Sequence, residues 1–313
     1  MGVLLEGGAG EAEIAAFLVA LKMKGETAAE IAGFARAMRD RMIVVDAGPD
    51  VIDTCGTGGD GAGTFNISTV AAIVMAGAGA KVAKHGNRSI SGSSGSADVL
   101  EALGVRVTLA PDEAARAIRE IGIGFLFAPA MHPAMKHAQP VRRALKLRTV
   151  FNILGPLTNP ARASVQLIGA PSAAAAKLMA EALSDLGTRR AFVVHGQDGL
   201  DEITITGATD VYEITSKGVE HNVWRPEDFG MSEANAASLK GGDTACNAQI
   251  ALGILRGSSG APRGIVLANA AAGVLAAGLV GDLISGVESA AQSIDSGAAL
   301  RKLELLKESF PVG

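Results

Sequence analysis

Two short stretches of this chain carry glycines, hydroxyls and charges at spacings suited to gripping phosphate. The first runs Asp53-Thr54-Cys55-Gly56-Thr57-Gly58-Gly59-Asp60, continues through Gly61, Gly63 and Thr64, and ends in Asn66-Ile67-Ser68-Thr69. It reads as a strand, a glycine-rich loop and the start of a helix. Glycines let backbone N–H groups crowd an anion, and a helix N-terminus adds a favourable dipole. Ser68 and Thr69 add hydroxyls suited to phosphate or to a hydrated cation. The loop lacks the Gly-Lys-Ser/Thr ending of a P-loop and does not match a dinucleotide fingerprint. Taken alone, a turn feeding a capped helix remains open.

The second stretch is Lys84-His85-Gly86-Asn87-Arg88-Ser89-Ile90-Ser91-Gly92-Ser93-Ser94-Gly95-Ser96-Ala97-Asp98. Two cations and five serines within eight residues form another anion cradle. A solvated Ser/Gly linker is the bland reading, but strand and helix signals frame this segment. Two such loops on successive strand ends would face one crevice of an open α/β sheet and take a ligand with two separated phosphates. Further on, Gly199-Leu200-Asp201-Glu202 puts adjacent carboxylates in a loop. Alone this reads as a solvated turn; beside phosphate loops it suits Mg²⁺, which prefers oxygen ligands. Gln139-Pro140-Val141-Arg142-Arg143 and the run from Arg148 to Pro160 supply arginines able to hold a carboxylate in parallel hydrogen bonds, or simply a solvated helix face. His132, His137, His195 and His221 lack metal-ligand spacing and read as structural or surface residues.

These segments need elements to position them. Ile14, Phe17, Leu18 and Leu21 form one helical stripe, and Thr27 with Glu30 makes a capping box for a second helix with apolar Ile31, Phe34, Ala35 and Met38. Gly48 and Pro49 break the pattern, so a helical region of residues 1–46 is expected. Beyond it, apolar runs at 51–54, 81–84, 124–128, 165–168 and 191–195 alternate with helical stretches at 69–77, 97–103, 112–121 and 173–186. That rhythm predicts an α/β domain over 47–313, a mostly parallel sheet flanked by helices with right-handed crossovers. Residues 134–147 look helical without a strand partner, and the stretch 133–160 is expected to fold back onto the N-terminal helices.

Composition narrows the function classes. Glycine is 40 of 313 residues, well above the usual ~7%, which makes the placement of the glycines informative. A net charge of −4 gives no broad attraction for nucleic acid or an anionic membrane. Cys55 and Cys246 are too few for a disulfide framework or a zinc site and read as small buried residues. The chain opens without a secretory signal pattern. Its most apolar stretch, 265–280, is mostly alanine, includes Asn269 and is too short to span a bilayer. A soluble, cytoplasmic protein is expected.

In family order, the Gly-Thr-Gly-Gly-Asp loop, Asn-Ile-Ser-Thr, Lys-His-Gly-Asn-Arg-Ser, Gly-Ser-Ala-Asp-Val-Leu, Phe-Asn-Ile-Leu-Gly-Pro-Leu-Thr-Asn-Pro and Gly-Leu-Asp-Glu resemble the anthranilate phosphoribosyltransferases from about residue 13 to the C-terminus. The resemblance implies a small helical domain joined to a larger α/β domain, usually a homodimer, with transfer of phosphoribose from phosphoribosyl pyrophosphate to anthranilate in tryptophan biosynthesis. It implies that Gly56, Gly59, Asp60, Thr64, Asn66, Ile67, Ser68, Thr69, Lys84, the run His85, Gly86, Asn87, Arg88, Ser89, Ile90, Ser91, Gly92, and Ser96 hold phosphoribosyl pyrophosphate. Gly56, Asn87 and Arg142 would contact anthranilate, with His85 and Pro129 lining its path. Ser68, Asp201 and Glu202 would bind Mg²⁺, two ions per site. No covalent nucleophile or essential base is implied. Association with an anthranilate synthase component belongs to the same set of expectations; nucleic acid and membrane do not.

Two departures stand out. The family normally has another helix before the stretch that begins near Glu11, whereas residues 1–10 here are short and glycine-rich, which implies a shortened start and an altered dimer contact. Gly92 replaces the family's usual serine, removing a hydroxyl donor while keeping the N–H. A nucleoside phosphorylase of related fold, using free phosphate without magnesium, is the nearest rival. A non-catalytic relative that binds nucleic acid or protein is the other. The Asn-Ile-Ser-Thr and Asp-Glu segments favour the transferase.

Overall fold

A computed structural model describes residues 1–58, 60–89 and 94–312. Among the described residues seven strands form one sheet: β1 (Val51–Gly56), β2 (Lys81–Gly86), β3 (Ile123–Phe127), β4 (Val165–Gly169), β5 (Arg190–Gly196), β6 (Thr209–Thr215) and β7 (Gly218–Trp224). Their order is β3-β2-β1-β4-β5-β6-β7; the first five are parallel, and β6 and β7 add as an antiparallel hairpin. The first five were legible as apolar runs. The hairpin was not, because its outer strand is mostly exposed and polar and leaves only a faint alternation.

Between β1 and β4 the strand order reverses, with β2 on one side and β4 on the other. Such a switch point opens a crevice at the carboxyl ends of the strands. Here Gly56 and Gly169 face each other across it in register.

Side chains alternate between the two faces of the sheet. In β4, Val165 and Leu167 join one core while Ile168 joins another, and in β5 Phe192 and Val194 part from Ala191 and Val193 in the same way. The first core gathers helices Ile67–Gly77, Ala261–Ala276 and Ala298–Ser309. The second gathers helix Ala173–Asp185 and the N-terminal helices Glu11–Lys24 and Ala28–Arg39. Leu18 and Ile31 are fully buried there, and the capping box of Thr27 and Glu30 forms as expected. Residues 134–147 resolve into a 3₁₀ turn, Pro133–His137, and a helix, Gln139–Leu145, which packs on Glu11–Lys24. The glycine-rich start contains a one-turn helix, Gly2–Leu5, with Leu4 and Leu5 buried.

One expectation needs correction. Cys55 is buried, but Cys246 is exposed. It lies in the first turn of helix Thr244–Leu255, where its N–H donates to the capping Asp243 at 2.8 Å and its side chain faces out. Among the described residues no helix is long and apolar enough to cross a membrane.

Candidate functional site

The two loops read from the sequence leave neighbouring parallel strands and meet. Helix Ile67–Gly77 starts directly after the first loop, and its N-cap Asn66 donates from Nδ2 to the Ser94 carbonyl in the second loop at 3.1 Å. Lys84, at the end of β2 and only 3% exposed, reaches across to donate from Nζ to Ser68 Oγ at 3.3 Å and to the Thr54 carbonyl at 2.7 Å. A lysine threaded through the floor in this way puts a cation beneath the helix start.

Asp201 and Glu202 complete the crevice from above the switch point. Asp201 accepts from Gly58 N at 2.6 Å and from Thr57 Oγ1 at 3.4 Å, and Glu202 accepts from Ser68 N at 3.1 Å. A Cβ on Gly56 would come 2.5 Å from Asp201 Oδ2, and one on Gly169 would collide with the Asp201 main chain. Only glycine fits at either strand end. Both carboxylates are nearly enclosed, at 7% and 9% exposure. Burial pushes Asp201 up to about 7, with the Asp60 charge adding to it, and pushes Glu202 up to about 8, with Asp201 adding. Burial also pushes Lys84 down, so a single lysine does not offset the negative charge gathered here.

Asp60, Asp201, Glu202 and Ser68 offer only oxygen donors, the chemistry that suits Mg²⁺. Among the described residues no group of three or more metal-binding side chains is arranged to hold an ion by itself. The donor set therefore fits an ion that arrives carrying other ligands, as Mg²⁺ does on phosphates.

Other predicted residues fall as follows. Thr64 bridges to Lys240, while Thr69 has a buried hydroxyl without a hydrogen-bond partner. The Ile67 side chain is core, which leaves only its backbone to a ligand. The Asn87 carbonyl accepts from Ser96 Oγ at 3.2 Å, and a Cβ on Gly86 would press into the Phe125 ring at 2.6 Å. Ser89 donates its N–H to Asp98 at 3.2 Å. Arg88 pairs with Asp98 and Glu101, at 2.9 and 2.6 Å. Gly59, Ile90, Ser91 and Gly92 lie outside the described residues.

His85, Pro129 and Arg142 were also expected at the site. His85 is buried, and its Nδ1 lies 3.2 Å from the Gly155 carbonyl. That contact makes Nδ1 the protonated nitrogen and leaves Nε2 as an acceptor, which has no partner among the described residues. His132 packs beside it, ring centroids 5.1 Å apart, and its Nε2 is likewise without a partner among the described residues. Burial holds His85 down to about 3 and His132 down to about 4, so both rings stay neutral at physiological pH. Pro129 lies in the short helix Ala128–Met131 that follows β3, the strand paired with β2. Arg142 lies over the Phe151 ring at 5.1 Å, with no ion pair to any described residue. Burial lowers its pKa, which is the direction for a guanidinium short of counter-charge.

Sequence reading missed the clasps behind these groups. Asn247, 2% exposed, donates from Nδ2 to Asn66 Oδ1 at 3.1 Å and accepts from Gly242 N at 2.8 Å. Asn159 donates to the Ala83 carbonyl at 2.8 Å, and Asp53 accepts from His85 N at 3.0 Å, fixing β2 against β1. Arg148 donates to the Gly58 carbonyl at 2.7 Å. The available signal was an isolated amide or carboxylate in an otherwise apolar run, as at Asn247.

Comparison with known proteins adds the context. Residues 48–300 match the glycosyl transferase family, a/b domain, and residues 1–42 match its helical bundle domain. An anthranilate phosphoribosyltransferase of Solibacter usitatus is 58% identical over 311 residues, covering 98% of this chain and 92% of the relative. The crystal structure of anthranilate phosphoribosyltransferase from Thermus thermophilus superposes with a TM-score of 0.93 at 44% identity, covering 98% of this chain and 92% of that one. The Saccharomyces cerevisiae enzyme in complex with PRPP and Mg gives 0.88 at 31% identity, covering 96% and 85%.

Proposed function

Because this chain belongs to the anthranilate phosphoribosyltransferase family, we propose that it transfers the phosphoribosyl group of phosphoribosyl pyrophosphate to the amine of anthranilate, releasing pyrophosphate. The observation that carries this reading is the convergence of two strand-end loops, joined through Asn66 and Lys84, with Asp201 and Glu202 set against the first of them.

In this reading the loop from Gly56 to Thr69 and the loop from Lys84 to Ser96 hold the two phosphate ends of the donor. Ser68, Asp201 and Glu202 would hold Mg²⁺, two ions per site, which when bound would supply positive charge against the departing pyrophosphate. Backbone N–H groups of the loops and the Lys84 cation stabilise the same developing charge. Asn87 and Arg142 orient anthranilate, and Arg142 grips its carboxylate so that the amine faces the sugar carbon. The two neutral histidines add unfilled acceptors to a wall that excludes water. An aryl amine attacks without prior deprotonation, so neither a covalent nucleophile nor an essential base is assigned. The helical unit of residues 1–46, completed by 133–160, is assigned to self-association as a homodimer; exposed Val3 and Met23 on it support an apolar contact. Association with an anthranilate synthase component and residence in the cytoplasm complete the proposal.

The deciding experiment incubates purified protein with anthranilate, phosphoribosyl pyrophosphate and Mg²⁺ and follows anthranilate fluorescence. Loss of fluorescence that requires all three components is expected. Phosphorolysis of a nucleoside without magnesium, and no such loss, would assign the rival chemistry.

A further inference from the structure

The segment bearing Asp201 and Glu202 belongs to no strand or helix, yet it holds two carboxylates out of water. Unrestrained, such a segment would swing its charges outward, because burying a charge is unfavourable. Two side chains outside the proposed ligand set hold it in place. On one side Asp198 accepts from Leu200 N at 3.2 Å, from Thr204 Oγ1 at 2.6 Å and from Thr206 Oγ1, closing residues 198–206 into a knot. The hydroxyls of Thr204 and Thr206 lie 3.0 Å apart, and Thr204 N donates to Thr209 Oγ1 at 3.1 Å. On the other side Asn269, fully buried in helix Ala261–Ala276, takes Ile203 by both backbone groups. Its Oδ1 accepts from Ile203 N at 3.0 Å, and its Nδ2 donates to the Ile203 carbonyl at 2.9 Å and to the Ile265 carbonyl at 2.9 Å. Ile203 directly follows Glu202. From Ile265 to Ala276 this helix is otherwise alanine, glycine and aliphatic residues. A buried amide there that grips one residue of a neighbouring segment by both its N–H and its carbonyl has the geometry of a clamp.

We infer that Asp198 and Asn269 are positioning residues that fix the Asp201–Glu202 carboxylates where a metal–pyrophosphate complex meets them. The inference rests on the reading of Asp201 and Glu202 as metal carboxylates. Groups one layer behind metal ligands set ligand orientation, and their loss weakens metal binding by roughly ten- to a hundredfold.

The test uses the full chain and Mn²⁺ with inorganic pyrophosphate as probe, read by water-proton relaxation enhancement, with no turnover involved. Asp198→Ala and Asn269→Asp are expected to weaken Mn²⁺–pyrophosphate binding roughly tenfold. Asp198→Asn, which keeps an oxygen acceptor for Leu200 N, should recover part of the loss. Metal-free pyrophosphate binding, measured by calorimetry, should be unchanged. Thermal melts report folding; Asp198 is exposed, so its variants carry the test alone if Asn269→Asp does not fold. Binding like the parent by folded Asp198→Ala, or an equal loss of metal-free pyrophosphate binding, overturns the inference. Glu202→Gln is the control. If it weakens Mn²⁺ binding while the clamp variants do not, only the clamp fails. If it too binds like the parent, the metal assignment fails and takes the clamp with it.

Discussion

Ser68 donates its backbone N–H to Glu202 Oε1 at 3.1 Å, so the first turn of a helix and a carboxylate from the far side of the sheet share one point in space. The pair lies 134 residues apart in sequence. A helix N-terminus attracts negative charge, and here the charge it meets belongs to the same site that is proposed to take a metal-bound phosphate. In the proposed reading this contact would be exchanged when the donor binds: metal would neutralise the carboxylates and phosphate would take up the N–H groups.

Metal dependence should follow from those carboxylates. The double variant Asp201→Ala, Glu202→Ala is expected to raise the Mg²⁺ concentration for half-maximal activity by at least roughly tenfold, as loss of charged oxygen ligands does. Identical metal titrations for variant and parent would remove both residues from the site.

Arg142→Ala should mainly raise the KM for anthranilate, by roughly ten- to a hundredfold, since charge-assisted hydrogen bonds contribute about 1.5–3 kcal/mol. The KM for phosphoribosyl pyrophosphate should stay near that of the parent. An unchanged anthranilate KM counts against the carboxylate grip.

The raised carboxylates give metal-free protein a pH signature. In the unfolded chain both titrate near ~4, whereas in the fold they lie at about 7 and about 8. A carboxyl raised on folding contributes stability while protonated and loses it as pH rises through the folded value. Chelated protein should therefore melt lower at about pH 8.5 than at about pH 7, and Glu202→Gln should reduce that drop. Melting temperatures independent of pH over this window, with chelator present, would contradict the burial of both charges.

For the two histidines the sign is opposite. Burial holds His85 and His132 at about 3 and about 4, below the unfolded ~6.5, so their contribution is present above that value and is lost as pH falls. Nuclear magnetic resonance signals of both imidazoles should stay flat from about pH 8 to about pH 5.5. A midpoint near neutrality for either ring would show that it is open to water.

Gly169→Ala tests the contact at the switch point. The added methyl meets the Asp201 main chain, so the loop must shift, at a cost of about 1–3 kcal/mol in stability. Activity should fall more than the melting temperature suggests, and the Mg²⁺ requirement should rise. Normal metal dependence in this variant would mean the loop sits clear of β4.

Much of this protein was written locally. The five parallel strands announced themselves as apolar runs, the Thr27–Glu30 box as a helix start, and both anion loops as glycines and hydroxyls placed between strand and helix signals, because each depends on residues adjacent in the chain. What the sequence could not rank was the setting of each group. Arg88 gives no sign in the sequence of its ion pairs with Asp98 and Glu101, and Cys246 looks buried until the helix turns it outward. Gly169, His132 and Asp198 carry no local mark of their work, and Asn247 and Asn269 show only as amides in apolar runs. Their roles arise largely from contacts between residues far apart in the chain, and only the tertiary fold, by crossing strands at the β1–β4 switch and burying two carboxylates there, decides which atoms meet.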